Sequence, residues 1–423
     1  MGARVKIALF HNLPSGGAKR TVLETVRRLA DRHVVDLFCP TTANSAFCDV
    51  RPYVTRTLSF PFQRSKPLPS PFGRLSRVLA LGDLYRMERL ARQVAGAIDD
   101  RGYDVALVHP CVVTHAPSVL RYLRTPTVYY CHEVLRRLYE RPVPRPYRRR
   151  RRLQGLVDRV DALDRFYRGL LARIDRRNVR SASRVLTNSI FTQAAIDRAY
   201  GVRASVNHPG VDTTFFRPID VPKERMVLSV GSLTAEKGFD FLIAGLAGMP
   251  VGERPRLALV SNVEVSAERL FLERLAHASG VDVSFEVGIS NDELVRRYNS
   301  ALLTVYAPYG EPLGLAALES QSCQTPVVGV AEGGVLETVL DGQTGRLVPR
   351  EPAAFASTVR SLLAAPDLLR EYGSQGRAHV LRSWSWDFLV DELEGELSLA
   401  ARLGGETPLA ARTAPSANGV WSA

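Results

Sequence analysis

The stretch YGEPLGLAALES, residues 309–320, places two glutamates, Glu311 and Glu319, eight positions apart. A carboxylate only accepts hydrogen bonds, and two adjacent sugar hydroxyls are natural donors to it. Pro312 suits the first position of a helix, where its missing N–H costs nothing. The backbone N–H groups of Leu313, Gly314 and Leu315 would then lie free at a helix N-terminus, a place that attracts an anion such as phosphate. Gly314, having no Cβ, lets a ligand approach the backbone closely. On a helix rising roughly 1.5 Å per residue, Glu319 falls about 12 Å beyond Glu311. One short element can therefore grip a phosphate at its tip and a hydroxyl pair at each glutamate.

Such an element needs a strand to deliver it and a sheet to hold it. LLTVYAP, just upstream, is an apolar run of the kind that forms a buried strand, and LGLAALESQSC is a good helix former. The same rhythm runs through the chain. VKIALF opens it, followed by HNLPSGGAKR and then by apolar residues at Val22, Leu23, Val26 and Leu29, a helical spacing. VVDLFCP, YDVALVHP, PTVYYCHE and ASRVLTNS are further short apolar runs separated by helical stretches. Strands alternating with helices imply parallel sheets with crossover connections.

A break falls at DTTFFRPIDVPKER, which has two prolines and no periodicity. The rhythm then restarts with MVLSVGS, RLALVSN, DVSFEVG and TPVVGVA. The reading is α/β: two Rossmann-like doubly wound domains facing each other across a cleft. They are placed at residues 1–216 and 226–385, joined by a linker at 217–225. A helix at 386–403 is expected to return towards the first domain, and the Gly-, Pro- and Ala-rich tail 404–423 is expected to be disordered. In such sheets ligands bind at the carboxyl ends of the strands.

E-P-L-G-L-x-x-L-E after a strand ending in Ala-Pro resembles the E-x7-E signature of the GT-B retaining glycosyltransferases of the family 4 type, which use nucleotide-sugar donors. LSVGSLTAEKGFDFL is similar to the family's strand–turn–Lys-Gly element, TNSIFTQAAIDRAYG with NHPGVDTTFF to the end of its first domain, and TPVVGVAEGGVLETVLDGQTGRLV to the stretch after its glutamate helix. The likeness runs from about Lys6 to Trp386 and is strongest after Ala182.

The resemblance implies roles for individual residues. Glu311 would contact the transferred sugar and Glu319 the ribose hydroxyls. The N–H groups of Gly314 and Leu315 would hold the diphosphate, with Lys237 neutralising it. Gly16 and Gly17, in PSGGA, would approach the donor from the first domain. His132, at the end of PTVYYCHE, would hydrogen-bond the donor sugar near the reacting carbon. Apart from the resemblance, His109 ends the strand in YDVALVHP and could line the cleft, a structural role being the expectation. The family often carries Arg directly after the Gly of VG, and here Ser232 stands beside the diphosphate site. Either Lys237 and the helix tip suffice, or another arginine enters from a loop.

Glycosyl transfer needs the departing nucleoside diphosphate stabilised. No D-x-D tripeptide occurs to hold a divalent metal, so no metal and no other cofactor is expected, the nucleotide sugar being a co-substrate. Retention at the anomeric carbon is implied by the resemblance alone. A dinucleotide-dependent oxidoreductase would need G-x-G-x-x-G after the first strand, and no G-x-G occurs anywhere. An epimerase or phosphorylase-like enzyme on the same architecture stays open, although nothing marks a pyridoxal-phosphate lysine.

The net charge is +13, and nine arginines with a single acid lie between Arg136 and Arg152. A basic surface favours polyanions. Within segment 136–180, the steps of three and four between Leu153 and Ile174 predict a long amphipathic helix over 146–177. Arg148, Arg149, Arg150, Arg151 and Arg152 are candidates to meet a glycan, lipid-linked or phosphorylated acceptor, or an anionic membrane surface. A solvated surface helix is the plainer alternative, and no nucleic-acid-binding module surrounds the arginines. Composition is that of a soluble globular chain, with 45% hydrophobic residues and no apolar run of membrane-spanning length. Five scattered cysteines form no C-x-x-C pair. With no secretion signal read at the N-terminus, the expected location is the cytoplasm, with the inner face of the cell membrane as an option.

Overall fold

The structure is a computed structural model, and it describes residues 4–68, 76–148 and 162–402. Short apolar runs form the inner strands, which are buried on both faces, while the edge strands Arg56–Phe60 and Val283–Val287 are more polar and partly exposed. The first lobe holds β1 (Lys6–Asn12), β2 (Val34–Pro40), β3 (Arg56–Phe60), β4 (Val105–Cys111), β5 (Thr127–Cys131), β6 (Arg184–Thr187) and β7 (Ser205–Val206). Their order is β3-β2-β1-β4-β5-β6-β7, with every pairing parallel.

The second lobe holds β8 (Met226–Val230), β9 (Arg256–Ser261), β10 (Val283–Val287), β11 (Leu303–Tyr306), β12 (Val327–Val330) and β13 (Gly345–Val348). They run in the order β10-β9-β8-β11-β12-β13, again all parallel. In each sheet the strand order reverses beside the first strand, between β1 and β4 and between β8 and β11. Crossover loops leave opposite faces there, so a crevice opens at the carboxyl ends of the strands.

Each lobe buries its own apolar clusters. Val94, Ile98, Val108 and Tyr129 lie in the first, and Leu242, Leu259, Val305 and Phe355 in the second. The helix Trp386–Arg402 follows the second lobe in sequence but packs on the first. Its Trp386, Val390, Leu393 and Leu397 share a cluster with Ile7, Val26 and Leu37, and Arg28 of the Gly17–Arg32 helix donates to Asp387. Residues 212–225 cross between the lobes without helix or strand. The tail 404–423 lies outside the described residues.

Within the basic segment, a short helix Arg136–Tyr139 is followed by an irregular stretch, by a single turn Pro146–Arg148 and, beyond the undescribed residues, by a helix Ala162–Arg180. Of the single helix expected over 146–177, Pro146–Arg148 is a 3-10 turn and 162–177 is helical, the helix running on to Arg180, while the part between lies outside the described residues. Arg149, Arg150, Arg151 and Arg152 lie outside the described residues.

Residues 136–148 cross from the first lobe to the second. The Arg145 guanidinium is buried between two carboxylates of the second lobe. Its Nε donates to both oxygens of Glu268 at 3.0 Å, and its Nη atoms donate to Asp240 at 2.9 and 3.0 Å. Glu268 is wholly buried, so this cation and carboxylate neutralise each other away from water. A second tie across the lobes is Glu337. It accepts from the backbone N–H groups of Ile190 and Phe191, both at 3.0 Å, and pairs with His208 at 3.0 Å.

Candidate active site

The two crevices face each other and enclose one cavity of about 530 Å³. Segments leaving the carboxyl ends of strands at or near each switch point line it. From the first lobe come Gly16 and Gly17 after β1 and His132 after β5; from the second come Ser232 and Lys237 after β8 and residues 311–316 and Glu319 after β11. The structure thus gathers Glu311, Glu319, Gly314, Leu315, Lys237, Ser232, Gly16, Gly17 and His132 around a single space.

The glutamate element differs from its expected form in one respect. The helix begins at Leu315 and ends at Ser322, and Gly314 is its N-cap at φ 99°. Pro312 is therefore not the first helical residue. The chain turns sharply through Gly314 in the left-handed region, where a side chain would be strained. A Cβ there would also meet the Tyr306 ring at 3.4 Å. Glu311 sits in the loop and Glu319 one turn inside the helix.

Both carboxylates are engaged by cations. Lys237 Nζ donates to Glu311 Oε2 at 2.7 Å. Arg20, one turn into the Gly17–Arg32 helix, donates to Glu319 Oε1 from across the cavity, while the buried Tyr298 hydroxyl donates to Oε2 at 2.9 Å. Burial, followed by the Glu319 charge, pushes the Tyr298 pKa well above the ordinary value, so this hydroxyl keeps its proton and its role as donor. Tyr306, at the end of β11, is also pushed well up, by burial first and then by Glu311. The two helix tips meet closely: a Cβ on Gly17 would lie 3.5 Å from Leu315 Cδ1.

Lys237 is placed by its neighbour. Gly238 has φ 65°, and a Cβ there would lie 2.0 Å from the Ala307 carbonyl oxygen, so only glycine fits between Lys237 and the loop leaving β11. That loop is held by Arg350, which donates to Ala307 O at 2.9 Å and Pro308 O at 2.8 Å and lies 3.8 Å from the Tyr309 ring centroid. From the other side Gly333 and Gly334 press on it. The Gly334 N–H donates to Glu311 O at 2.8 Å.

Three cations, Arg20, Arg136 and Lys237, and three carboxylates, Glu133, Glu311 and Glu319, line the cavity. The position of Ser232 is thus accompanied by arginines from the first lobe: Arg20 from a helix rather than a loop, and Arg136 from the short helix beyond His132. Arg136 Nη2 donates to Tyr309 O at 2.6 Å and its Nε to Glu140 at 2.6 Å. Sequence reasoning missed Arg20, Arg136, Tyr298 and Arg350. The only local signal was that Arg20 follows the Gly pair by one helical turn. The site partners of the other three, Tyr309 for Arg136, Glu319 for Tyr298 and the Ala307 carbonyl for Arg350, lie 173, 21 and 43 positions away.

His132 is buried to 7% exposure and lines the cavity. Burial, with a smaller contribution from His115, pushes its pKa down to about 3, so the ring is neutral at pH 7. His109, read from sequence as structural, lies 3.1 Å from it, Nδ1 to Nε2. No group of three or more His, Cys, Asp or Glu among the described residues could hold a metal ion. Among the same residues no helix is long and apolar enough to cross a membrane.

Comparison with known proteins fits this arrangement. The family model for glycosyl transferases group 1 matches residues 212–379, and that for glycosyltransferase family 4 matches residues 15–215. The two overlap at residues 212–215 and together take in both lobes. The chain belongs to the group 1, family 4 glycosyltransferases. Among curated relatives, a D-inositol 3-phosphate glycosyltransferase 2 of Catenulispora acidiphila is 33% identical over 231 residues, 49% of this chain and 54% of that protein. The chain thus spans about half the length of this relative. A D-inositol 3-phosphate glycosyltransferase of Thermobifida fusca is 26% identical over 415 residues, 90% of this chain and 87% of that protein.

Among solved structures, sucrose-phosphate synthase from Thermosynechococcus elongatus superposes with a TM-score of 0.71 at 21% identity, covering 94% of this chain and 98% of that one. HepE of Anabaena, solved in complex with UDP-glucose, gives 0.68 at 18% identity, covering 94% and 100%. These likenesses are of fold, and the fold of this family 4 member is GT-B.

Proposed function

We propose that the protein transfers a sugar from a nucleoside diphosphate sugar to an acceptor hydroxyl, with retention and without a metal. One observation carries the reading. Glu311, Glu319, Lys237 and the tip of the Leu315–Ser322 helix converge on one cavity at the switch points of both sheets. The UDP and UDP-glucose held in the HepE structures support a nucleotide-sugar donor. The inositol 3-phosphate in the names of the curated relatives supports a phosphorylated polyol acceptor, and the basic residues on the first lobe fit an anionic one.

In this reading the bond from the anomeric carbon to the phosphate oxygen breaks and one to the acceptor oxygen forms. The acceptor proton leaves on the departing diphosphate. Positive charge gathers at the anomeric carbon while negative charge gathers on the diphosphate, so groups placed to meet those charges speed the step. The N–H groups of Leu315 and its neighbours at the helix tip meet the diphosphate, with Lys237 beside them. Glu311 meets the sugar, and Glu319, held by Tyr298, accepts from the ribose. Closure of the lobes excludes water, which would otherwise take the sugar.

The test is a panel of nucleotide sugars screened by thermal shift, since a ligand well above its Kd raises Tm, followed by transfer assays on variants. Glu311→Ala is expected to abolish turnover while a nucleoside diphosphate still binds, and Glu319→Ala mainly to weaken donor binding. Near-normal transfer by Glu311→Ala would remove the assignment.

A further inference from the structure

His132 does not stand alone behind the cavity. His11 on β1 and His109 on β4 are buried neighbours across the β1–β4 pairing, where Phe10 is in register with Val108. Lys19, in the first turn of the helix that follows the Gly pair, is buried too, and its Nζ lies 3.0 Å from His11 Nε2. His109 Nδ1 lies 3.1 Å from His132 Nε2. Two ring nitrogens, His11 Nδ1 and His109 Nε2, are buried with no hydrogen-bond partner among the described residues.

Burial lowers the pKa of all three rings, so each carries one proton at pH 7. The Lys19 ammonium carries donors and no acceptor, so His11 Nε2 accepts from it and the His11 proton sits on Nδ1. Two arrangements remain for the His109–His132 pair. If His132 donated from Nε2, the His109 proton would move to Nε2, and two buried N–H groups would be left unpaired on neighbouring strands. If His109 donates from Nδ1, its Nε2 is a bare acceptor, and the His11 Nδ1–H is the single buried N–H left unpaired where the other arrangement leaves two. Unpaired buried N–H groups are much the rarer outcome in folded proteins.

We propose that His109 is a positioning residue that locks His132 as its Nδ1–H tautomer, so that His132 presents a hydrogen-bond donor to the donor sugar and not a base. Lys19 donates to His11, and His109 donates to His132, whose ring stands at the cavity wall. His132 Nε2 is taken by His109, and Nδ1 is the ring nitrogen with no partner among the described residues. A ring fixed in this way can donate to a sugar oxygen but cannot accept the acceptor's proton at Nε2. The use of this tautomer rests on the glycosyl-transfer reading; the tautomer does not.

Two-bond ¹H–¹⁵N correlation spectra of the full chain labelled in histidine report each tautomer directly, with no substrate present. Wild-type His132 is expected to show a bare Nε2 and a protonated Nδ1. His109→Phe is expected to move His132 to a mixture rich in Nε2–H, whereas His109→Gln, whose amide can still donate, keeps the wild-type pattern. In transfer assays His109→Phe is expected to raise KM for the nucleotide sugar about tenfold, the size of one lost hydrogen bond. Its Kd for the nucleoside diphosphate, which lacks the sugar, stays unchanged. An Nε2–H signal for His132 in the wild type overturns the proposal whether or not the phenylalanine variant folds. An unchanged His132 tautomer in folded His109→Phe also overturns it. The expected spectra together with no binding of any nucleotide sugar would uphold the tautomer and sink the glycosyl-transfer reading instead.

Discussion

Gly334→Ala adds one methyl group 15 positions after Glu319 and is expected to act on Glu311. Gly334 has an ordinary helical backbone, φ −71°, so the substitution introduces no backbone strain. Its effect is steric. A Cβ at 334 would lie 2.3 Å from the Pro312 carbonyl oxygen, 2.5 Å from Leu313 Cα and 2.8 Å from Leu313 N. All three are backbone atoms and cannot rotate away. Ordinary non-bonded carbon contacts are about 3.5–4.0 Å, so the loop carrying Glu311 must retreat by roughly 1 Å.

Such overpacking costs about 1–3 kcal/mol. At about 2–4 °C per kcal/mol for a lobe of this size, Tm should fall by roughly 2–12 °C. A displacement near 1 Å at the reacting centre can lower the rate about 100-fold. Glu319 is held separately by Tyr298 and Arg20, so nucleoside diphosphate affinity should change less than about tenfold. The assay is kcat on the best nucleotide sugar, beside calorimetric Tm and nucleotide titration. Gly252→Ala is the control, because a Cβ there meets nothing within 4 Å and φ is ordinary. A folded Gly334→Ala with wild-type Tm and kcat would show that the glycine pair does not seat the Glu311 loop.

Arg145→Met leaves wholly buried Glu268 without its cation, which typically costs about 3–5 kcal/mol; calorimetry should show a lower Tm and small-angle scattering a larger radius of gyration, and no change in either would deny the segment a role in holding the lobes together. Burial pushes the Glu337 pKa up, but His208 and the N–H groups of Ile190 and Phe191 outweigh it and hold the carboxyl below its ordinary value of 4.5. Its contribution is therefore complete above pH 4.5 and lost as pH falls through the lower folded value. The Tm gap between the wild type and Glu337→Gln should be widest near pH 7 and close towards pH 3, and a gap independent of pH would refute this. Transfer activity should survive excess EDTA, and full loss restored by manganese would defeat the metal-free part of the mechanism.

The fold class and the glutamate element were legible because their signals are local. Apolar runs of four to seven residues broken by Gly and Pro reveal buried parallel strands, and EPLGL after such a run reveals a strand-to-helix turn. The helix start was misplaced by three residues. Pro312 suits a first helical position, but Gly314 in the left-handed region delays the turn, at a place where an added Cβ would lie 3.4 Å from the Tyr306 ring and 3.5 Å from Thr338 Oγ1. Arg20 was overlooked for a similar reason. On its own helix it is an ordinary solvated cation, and only the approach of the second lobe gives it Glu319.

From the order of residues alone came the two parallel α/β units, the break between them and the chemistry a pair of glutamates beside a helix tip can perform, since each depends on neighbours within a turn or a strand. The meeting of Arg20 with Glu319, of Arg145 with Glu268 and of His109 with His132 was decided by the tertiary structure. These partners lie between 23 and 299 positions apart, and a charge or a ring nitrogen carries no mark of its partner until burial removes the water that would otherwise satisfy it.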